Sequence, residues 1–270
     1  MKRRTVVLKI GGELLESSEA TAAMSRVIAR AARKVRLVVV HGGGREIDAA
    51  LAQAAIPTHQ VDGVRITDDR TLQVVISVLA GSINTRLVAA INAAGGQAVG
   101  LTGADAGVGH VRPAKPHRKT NGELVDLGLV GEPVAGIGAP LIDALSAKGF
   151  TPIVACIGAT KDGRLFNVNA DTLAASLAAR VKASRLVIAG GTAGVLDSAG
   201  ETIATLTADA IDDLVESGTA TAGMVAKLRA CRGAREAGVQ DVMVADGRNP
   251  KLAAIVAAGI TRSVAYTRVQ

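Results

Sequence analysis

Three short apolar runs in this chain end in glycine clusters, and this arrangement limits the fold more than any other feature of the sequence. The clusters are Gly11-Gly12, Gly42-Gly43-Gly44 and Gly190-Gly191. Strand-like runs rich in Val, Ile and Leu alternate with segments of helical periodicity along most of the chain. This alternation predicts an α/β fold in which helices cover both faces of a mainly parallel sheet. Ligands bind beyond the carboxyl ends of the strands in such sheets, where glycine turns present backbone N–H groups to anions.

Helix-start signals organise the first half of the chain. Ser17 or Ser18 can cap an early helix, and Asp68 can cap a long helical stretch that reaches about Ala94. Residues 103–135 interrupt the alternation with Gly, Pro, Lys and His, and they are predicted to form hairpins at one edge of the sheet.

The second half resumes the alternation and closes with a predicted strand from Arg262 to Tyr266. The loop that precedes Asp171 finishes one region of the sheet before the next region begins. We therefore predict a boundary between an N-terminal lobe of residues 1–181 and a C-terminal lobe of residues 182–270.

Composition limits the classes of protein to which the chain can belong. Hydrophobic residues make up 49% of the 270 residues, enough for a sizeable core, whereas aromatic residues make up only 1%. The formal net charge of +7 favours anionic substrates. Nucleic-acid binding is not expected, because the Lys and Arg residues are scattered and stacking aromatics are nearly absent.

The sequence indicates neither membrane targeting nor a metal site. It has no uncharged apolar run of about 18 residues, so no membrane span is expected. Lys9 interrupts the apolar run that follows the N-terminal basic residues, which argues against a signal peptide. Cys156 and Cys231 lack metal-ligand spacing and are predicted to be structural thiols in a reducing compartment. The chain is therefore predicted to be cytoplasmic and to hold no metal through its own residues.

Two lysines are the strongest candidates for chemistry. Lys9 stands at the end of an apolar strand and before two glycines, where an ammonium is unfavourable unless it meets an anion or reaches the rim of the sheet. Lys227 lies near the start of an amphipathic helix, where a solvated side chain is the simpler interpretation. Together, two lysines from distant segments could hold a phosphoryl group from two sides during its transfer.

Further polar residues complete the candidate set. Asp171 either caps a helix or holds lysines in place, and the amide of Asn167 could bind a polar ligand. Arg65 either pairs with a neighbouring aspartate on the surface or binds a carboxylate bidentately. The four histidines form no catalytic set with Ser or Asp. A carboxylate acceptor fits this absence because, with an intrinsic pKa of about 4.3, it is already ionised and needs no general base.

Six motifs, taken in order along the chain, resemble those of the amino-acid kinase family. They are KIGG at 9–12, HGGG at 41–44, DGVRITD at 62–68, DLGLVGE at 126–132, NVNAD at 167–171 and GMVAK at 223–227. The resemblance implies an open three-layer αβα sandwich whose N-terminal lobe binds an amino acid and whose C-terminal lobe binds ATP, with Mg2+ bridging the ATP phosphates. Within the family, HGGG, GxRxTD and NVNAD are similar to the motifs of members that phosphorylate N-acetyl-L-glutamate in arginine biosynthesis.

The resemblance also implies roles for individual residues. Lys9 and Lys227 are similar to the lysines that stabilise the transition state, and Asp171 is similar to the aspartate that orients them. On the same resemblance the acyl amino acid is bound by Gly43, Gly44, Arg65 and Asn167. The phosphoryl and nucleotide groups are bound by Gly11, Gly12, Gly191 and Gly194. At Gly190-Gly191 the chain departs from the family, which often has an aspartate-containing turn there.

Assembly and the acceptor follow from the resemblance as expectations. The first predicted strand begins near Thr5, which leaves no room for the extra N-terminal helix of hexameric, arginine-inhibited members. A homodimer insensitive to arginine is therefore expected, built on the helical stretch from about Asp69 to Ala94. A sister kinase that acts on free or carrier-bound aminoadipate would have the same chemistry. A non-catalytic sensor of amino acids or nucleotides is the alternative from another class, and the intact candidate lysines and aspartate argue against it.

Overall fold

An eight-stranded sheet forms the centre of the protein. The structure is a computed structural model, and it describes residues 3–118, 122–136, 138–216, 222–259 and 264–270. The strands are β1 (Thr5–Ile10), β2 (Arg36–His41), β3 (Ala98–Thr102), β4 (Thr151–Ala155), β5 (Arg185–Gly190), β6 (Thr205–Leu206), β7 (Asp241–Asp246) and β8 (Tyr266–Val269). Their order across the sheet is β6-β8-β7-β5-β1-β2-β4-β3. The α/β class predicted from the sequence is confirmed.

Parallel pairing brings the ends of distant strands to one edge. Every neighbouring pair in the sheet is parallel except β7 with β8, which is antiparallel. Lys9 on β1 lies opposite Ile188 on β5 and Val40 on β2. The inner strands are buried along almost their whole length, as parallel strands covered on both faces must be. The glycine turns that follow β1, β2 and β5 therefore lie side by side.

Helices cover the sheet in two groups. They are α1 (Ser18–Ala32), α2 (Gly44–Gln53), α3 (Asp69–Ile76), α4 (Asn84–Ala93), α5 (Pro140–Ala147), α6 (Ala170–Arg180), α7 (Ala208–Glu216), α8 (Ala222–Glu236) and α9 (Leu252–Ala258). Helix α6 packs on β1, β2 and β5 and against α8, whereas α1 packs against α4 and α9. Ser17 accepts a hydrogen bond from the Ala20 N–H at 3.1 Å, and Asp68 accepts one from the Thr71 N–H at 2.7 Å. These contacts confirm the two helix caps predicted from the sequence.

The long helical stretch after Asp68 is a single rod with a π-helical middle. Helix α3 passes through the π-helical segment Ser77–Ile83 directly into α4. One stripe of this rod belongs to the hydrophobic core, namely Leu72, Val75, Leu79, Ile83, Leu87 and Ile91. By length and composition alone the segment Asp69–Ala93 could cross a membrane, since its most apolar 18-residue window has a mean hydropathy of 1.8, although 39% of that window is buried inside the protein. Its apolar character therefore comes partly from the core and partly from an exposed side.

Short hairpins project from the sheet where the sequence predicts them. The segment of residues 103–135 contributes Val111–Pro113 paired with Gly131–Pro133 and His117–Arg118 paired with Leu124–Val125. Two further hairpins pair Gln60–Val61 with Val64–Arg65 and Ile157–Ala159 with Leu165–Asn167. The hairpin prediction is confirmed, and the last two carry Arg65 and Asn167 at their ends.

The closing strand differs from its prediction. Strand β8 begins at Tyr266, where the predicted strand ends, and it runs antiparallel to β7. Residues 260–263, which include the start of the predicted strand, lie outside the described residues. Half-buried and buried side chains alternate along Tyr266–Val269, which matches a strand next to the edge strand β6 rather than a fully buried central one.

Candidate active site at the carboxyl ends of the strands

The centre of the candidate site is an ion pair between two segments that are distant in sequence. Lys9 lies on β1 and its Nζ is 2.9 Å from Oδ1 of Asp171, with side-chain exposures of only 10% and 9%. Asp171 is free for this contact because Asn169 caps α6 instead, accepting hydrogen bonds from the backbone N–H groups of Asp171 and Thr172. Of the two interpretations that the sequence allows for Asp171, the geometry therefore supports the lysine partner and not the helix cap.

The charge of Lys9 is retained despite its burial. Burial by itself lowers the pKa of Lys9, but the charge of Asp171, with a smaller contribution from Glu13, reverses the effect and raises the pKa above its ordinary value. A buried pair of this kind contributes little net stability, although removal of one partner leaves an uncompensated charge in the core. The pair therefore fixes a permanent positive group at the end of β1.

Lys227 supplies a second positive group beside the first. It lies on the half-buried side of α8, and its Nζ is 3.3 Å from the point that a Cβ on Gly190 would occupy. Burial and then the like charge of Lys9 lower its pKa. Within the described ranges Lys227 makes no ion pair. Two neighbouring lysines, of which one has no carboxylate partner, form a site that an anion stabilises.

The glycine turns let backbone segments approach each other closely at this site. A Cβ on Gly12 would lie 2.9 Å from the Gly43 Cα and 3.2 Å from the Gly44 nitrogen, and a Cβ on Gly43 would lie 2.2 Å from Ile83 Cδ1. Side chains at these two positions would collide with their neighbours. Gly44 faces open space at the N-terminus of α2, whose amide groups favour an anion.

The turn after β5 combines one open glycine with one packed glycine. A Cβ on Gly191 would lie 3.7 Å from Arg248 Nη2, beside the two lysines. Gly194 has a φ of 154° and would place a Cβ 2.5 Å from Thr267 Oγ1, so local packing accounts for that glycine. The assignment of nucleotide contacts to both glycines remains a prediction.

Thr67 links Asn167 to the backbone of Arg65 through two hydrogen bonds. Asn167 Nδ2 donates a hydrogen bond to Thr67 Oγ1 at 3.1 Å, and Thr67 Oγ1 donates to the Arg65 carbonyl at 3.1 Å. The Arg65 guanidinium is buried, with Nη2 2.6 Å from Asp48 Oδ1 and 3.5 Å from the Gly44 carbonyl. Its Nη1 is buried and has no hydrogen-bond partner in the part of the chain that the structure describes. A buried donor without a partner is costly, so this atom indicates a place for an anionic ligand.

Three residues at the site were not identified from the sequence. Glu13 lies on the turn after β1, with Oε1 3.4 Å from the position of a Gly190 Cβ, and Arg248 lies on the loop after β7 next to Gly191. Asp48 on α2 pairs with Arg65. Only Glu13 carried a usable signal, because an acidic residue directly after a strand and two glycines lies at the carboxyl edge of the sheet.

His41 in the second glycine turn is a structural residue. Burial lowers its pKa to about 4, which keeps the imidazole neutral at physiological pH. Its Nδ1 is 3.2 Å from the Gly42 carbonyl and its Nε2 is 3.0 Å from Asn84 Nδ2. Since both ring nitrogens are occupied inside the protein, His41 is not available as a general base.

The side chains of this edge carry the charge that a transferring phosphoryl group requires, and the histidine at the edge, His41, is not available as a general base. The class of protein that this fold and site define is a small-molecule kinase.

Comparisons with known proteins give the family. The sequence model described as "Amino acid kinase family" matches residues 4–246, so the chain belongs to the amino acid kinase family. Acetylglutamate kinase of Stutzerimonas stutzeri (strain A1501) is 38% identical over 252 residues, which are 92% of this chain and 84% of that protein. Acetylglutamate kinase of Parvibaculum lavamentivorans is 39% identical over 253 residues, 91% of this chain and 82% of that protein.

A solved structure gives the same fold. N-acetylglutamate synthase from Neisseria gonorrhoeae, complexed with coenzyme A and N-acetyl-glutamate, superposes with a TM-score of 0.80 at 23% identity. The match covers 100% of this chain and 60% of that one. The resemblance to the amino-acid kinase family inferred from the six sequence motifs is thus confirmed for both sequence and fold.

Proposed function

We propose that this chain transfers the γ-phosphoryl group of ATP to the side-chain carboxylate of N-acetyl-L-glutamate, giving N-acetyl-L-glutamyl 5-phosphate and ADP, a step in arginine biosynthesis. The observation that carries the proposal is the buried Lys9–Asp171 pair with Lys227 beside it, a lysine that makes no ion pair among the described residues. Two relatives named acetylglutamate kinase, matched over more than nine-tenths of the chain, support this acceptor.

The proposed acceptor site lies around Arg65. The Nη1 of this buried guanidinium, which has no hydrogen-bond partner in the described part of the chain, would bind the α-carboxylate of the amino acid. The Asn167 amide, which donates to Thr67, would bind beside it. The amide groups of Gly43 and Gly44 at the start of α2 would receive the reacting end of the substrate. This arrangement would favour an acceptor that carries two carboxylates.

The proposed reaction needs electrostatic stabilisation rather than proton transfer. An oxygen of the ionised side-chain carboxylate forms a bond to the γ-phosphorus, and the bond from that phosphorus to the β,γ-bridging oxygen breaks, with ADP leaving. Negative charge is concentrated on the moving group, and Lys9 and Lys227 approach it from β1 and α8. Asp171 keeps Lys9 in position without removing its charge from the site.

The nucleotide side of the site is proposed to use Gly11, Gly12, Gly191 and Gly194. Mg2+ fits the donor set, because Glu13 offers a carboxylate that pairs with no other described residue and ATP offers phosphate oxygens, and the bound ion would neutralise charge on those phosphates. The described residues contain no group of three or more His, Cys, Asp and Glu side chains that could hold a metal ion by themselves.

Two features of organisation belong to the same proposal. Residues 1–181 form a lobe that binds the amino acid, and residues 182–270 form a lobe that binds ATP, with the boundary in the connection between α6 and β5.

The chain acts as a homodimer through the exposed side of Asp69–Ala93. Support comes from a cavity of about 410 Å3 between this helix and the edge strand β3, lined by apolar residues such as Ala80, Val88 and Leu101 and also by the polar Asn84, Thr85, Thr102 and Asp105. We also propose a cytoplasmic location, which two buried free thiols support.

A coupled assay of ADP release tests the proposed function. The purified chain is supplied with ATP and Mg2+ and, in separate reactions, with N-acetyl-L-glutamate, glutamate, aminoadipate, carbamate or UMP. The highest kcat/KM with N-acetyl-L-glutamate is the expected result. A higher kcat/KM with aminoadipate would mean that aminoadipate is the acceptor and that the type of reaction is unchanged. Turnover with none of the five would favour a non-catalytic sensor and contradict the proposal.

A further inference from the structure

Glu13 lies in the glycine-lined part of the active site. It follows Gly11 and Gly12 on the single 3-10 turn Gly12–Leu14, and its side chain folds back over the turn. The carboxylate oxygens lie 2.3 and 2.4 Å from the point that a Cβ on Gly11 would occupy. Oε1 also lies 3.4 Å from the Cβ position of Gly190, the same point from which Lys227 Nζ is 3.3 Å away. Glu13 and Lys227 therefore face the same glycine.

The Glu13 side chain lies against the positions of three glycines, Gly11, Gly190 and Gly191. Its Cγ is 3.7 Å from the Cβ position of Gly191, and on that side Arg248 Nη2 is also 3.7 Å away. A side chain at Gly11 would collide with the carboxylate of Glu13. The cradle formed by Gly11, Gly190 and Gly191 thus contains the Glu13 carboxylate, with the cationic groups of Lys227 and Arg248 near the same glycines.

Glu13 differs from the other carboxylate at this centre. The charges of both Asp171 and Glu13 act on Lys9 and on Lys227. Asp171 is committed to Lys9 at 2.9 Å, whereas Glu13 makes no hydrogen bond or ion pair to any other described residue. A free carboxylate in a cradle suited to phosphates would repel a nucleotide unless a cation lies between them.

A divalent cation has the right chemistry for that place. Mg2+ prefers oxygen ligands, and it is commonly held by one or two carboxylates together with substrate phosphates rather than by a cage of protein ligands. One carboxylate beside the phosphate-binding glycines meets this requirement, so the lack of a larger acidic cluster among the described residues is no obstacle.

We propose that Glu13 is a metal-binding residue of this chain and supplies a carboxylate ligand to the divalent cation that enters with the nucleotide. The proposal rests on the proposed function only in that ATP or ADP binds at the Gly11-Gly12 and Gly190-Gly191 turns; it does not depend on the acceptor. Glu13 would therefore strengthen binding of the metal–nucleotide complex and weaken binding of the metal-free nucleotide.

The test compares ADP binding with and without metal, in the absence of any acceptor. Isothermal titration calorimetry of the full-length chain measures the Kd of ADP in Mg2+ and in EDTA at equal ionic strength. In the wild type, Mg2+ should tighten binding strongly. The Glu13→Gln variant should bind metal-free ADP more tightly than the wild type does, because the repulsion between the carboxylate and the phosphates is removed. The ratio of the Kd of ADP in EDTA to its Kd in Mg2+, which is the gain from Mg2+, should therefore be smaller in the variant by about tenfold or more.

A matched control and a direct metal readout accompany this measurement. Glu16→Gln changes an acid three residues away whose partner is the exposed Arg45, and it should keep the wild-type gain from Mg2+. The electron paramagnetic resonance spectrum of Mn2+ in the ADP complex should differ between the wild type and Glu13→Gln, since one ligand is replaced. Glu13→Ser provides a second variant should the glutamine variant be misfolded.

The outcomes separate this inference from the proposed function. An equal gain from Mg2+ in the wild type and both Glu13 variants, or an unchanged Mn2+ spectrum, would overturn the role of Glu13 while leaving kinase activity intact. A uniform weakening of ADP binding, with and without metal, would also overturn it and indicate a purely structural residue. A folded wild type that binds no ADP under either condition would overturn the proposed function and this inference together.

Discussion

The Lys9 ammonium and the Asp171 carboxylate lie 2.9 Å apart and are about nine-tenths buried, whereas Lys227 beside them makes no ion pair among the described residues. The two lysines of the site therefore differ in what they contribute. Lys9 belongs to the core and to the site, and its loss affects both. Lys227 belongs to the site alone, so stability and activity should separate between variants of these residues.

The first prediction concerns the buried pair. Asp171→Asn leaves the Lys9 charge without its partner in the core, and we expect the free energy of unfolding to fall by about 3 kcal/mol, with a large loss of kcat. Urea denaturation followed by circular dichroism measures the first effect. Asp212→Asn, which removes an exposed partner of Arg232, is the control and should change stability by less than about 1 kcal/mol. Equal losses in the two variants would contradict the structural role of Asp171.

The second prediction concerns Lys227. Lys227→Met should lower kcat by about 100-fold or more, because positive charge is removed from the moving phosphoryl group, while the urea midpoint stays near that of the wild type. Arg229→Met, at an exposed position two residues further along α8, removes the same charge and should leave kcat unchanged. Near-normal kcat in Lys227→Met would refute the role given to this lysine. Lys9→Ala should also lower kcat by orders of magnitude, but with a loss of stability.

The third prediction concerns acceptor binding. Arg65→Lys keeps one positive charge near Asp48 but loses the forked guanidinium, so the KM for N-acetyl-L-glutamate should rise by about tenfold or more with a smaller change in kcat. Steady-state kinetics at saturating ATP give both values. Arg112→Lys, at an exposed arginine paired with Glu132, should leave KM unchanged. A KM for the acceptor that does not respond to Arg65→Lys would exclude this arginine from the acceptor site.

The parts of the fold that the sequence predicted correctly depend on local or repeated signals. Ser17 and Asp68 are cap residues whose partners lie three residues away, so neighbouring residues are enough to identify them. The parallel sheet follows from strand–helix alternation over the whole chain. Strand β8 was misplaced because its start depends on pairing with β7, which no local pattern reveals.

The parts of the site that the sequence did not determine depend on contacts between distant segments. Asn169 and Asp171 can both cap a helix, and only the presence of Lys9 across the sheet shows which of them is free for another role. The position of Glu13 after β1 and two glycines places it at the carboxyl edge of the sheet, but only the pairing of β1 with β5 shows that it lies next to Gly190. Asp48 becomes relevant only because a hairpin brings Arg65 onto α2.

The fourth prediction concerns the homodimer. Val88 borders the cavity between α4 and the edge strand β3, and a glutamate there would place a charge in the proposed interface of both subunits. We expect sedimentation equilibrium to give twice the chain mass of 27.2 kDa for the wild type and a shift towards the single-chain mass for Val88→Glu. Ala52→Glu, on the exposed side of α2, is the control and should leave the mass unchanged. A wild type that sediments as a single chain would contradict the dimer.

The last prediction concerns pH and His41. Burial lowers the pKa of this imidazole to about 4 in the folded protein, whereas the unfolded chain has an ordinary value of 6.5. The unfolded state therefore binds the proton more readily, so the contribution of neutral His41 to stability is complete above pH 6.5 and is lost as the pH falls from there towards 4. The two pKa values correspond to about 3 kcal/mol of stability over that interval.

A variant isolates this contribution from that of the carboxylates. His41→Asn keeps a side-chain N–H that can donate to the Gly42 carbonyl but does not titrate in this range. Urea denaturation between pH 8 and pH 4.5 gives the free energy of unfolding of each protein. As the pH falls, this free energy should decrease by about 2 to 3 kcal/mol more in the wild type than in the variant. Parallel curves would mean that His41 keeps an ordinary pKa in the folded protein, and the neutral, hydrogen-bonded role given to it in the second glycine turn would then be wrong.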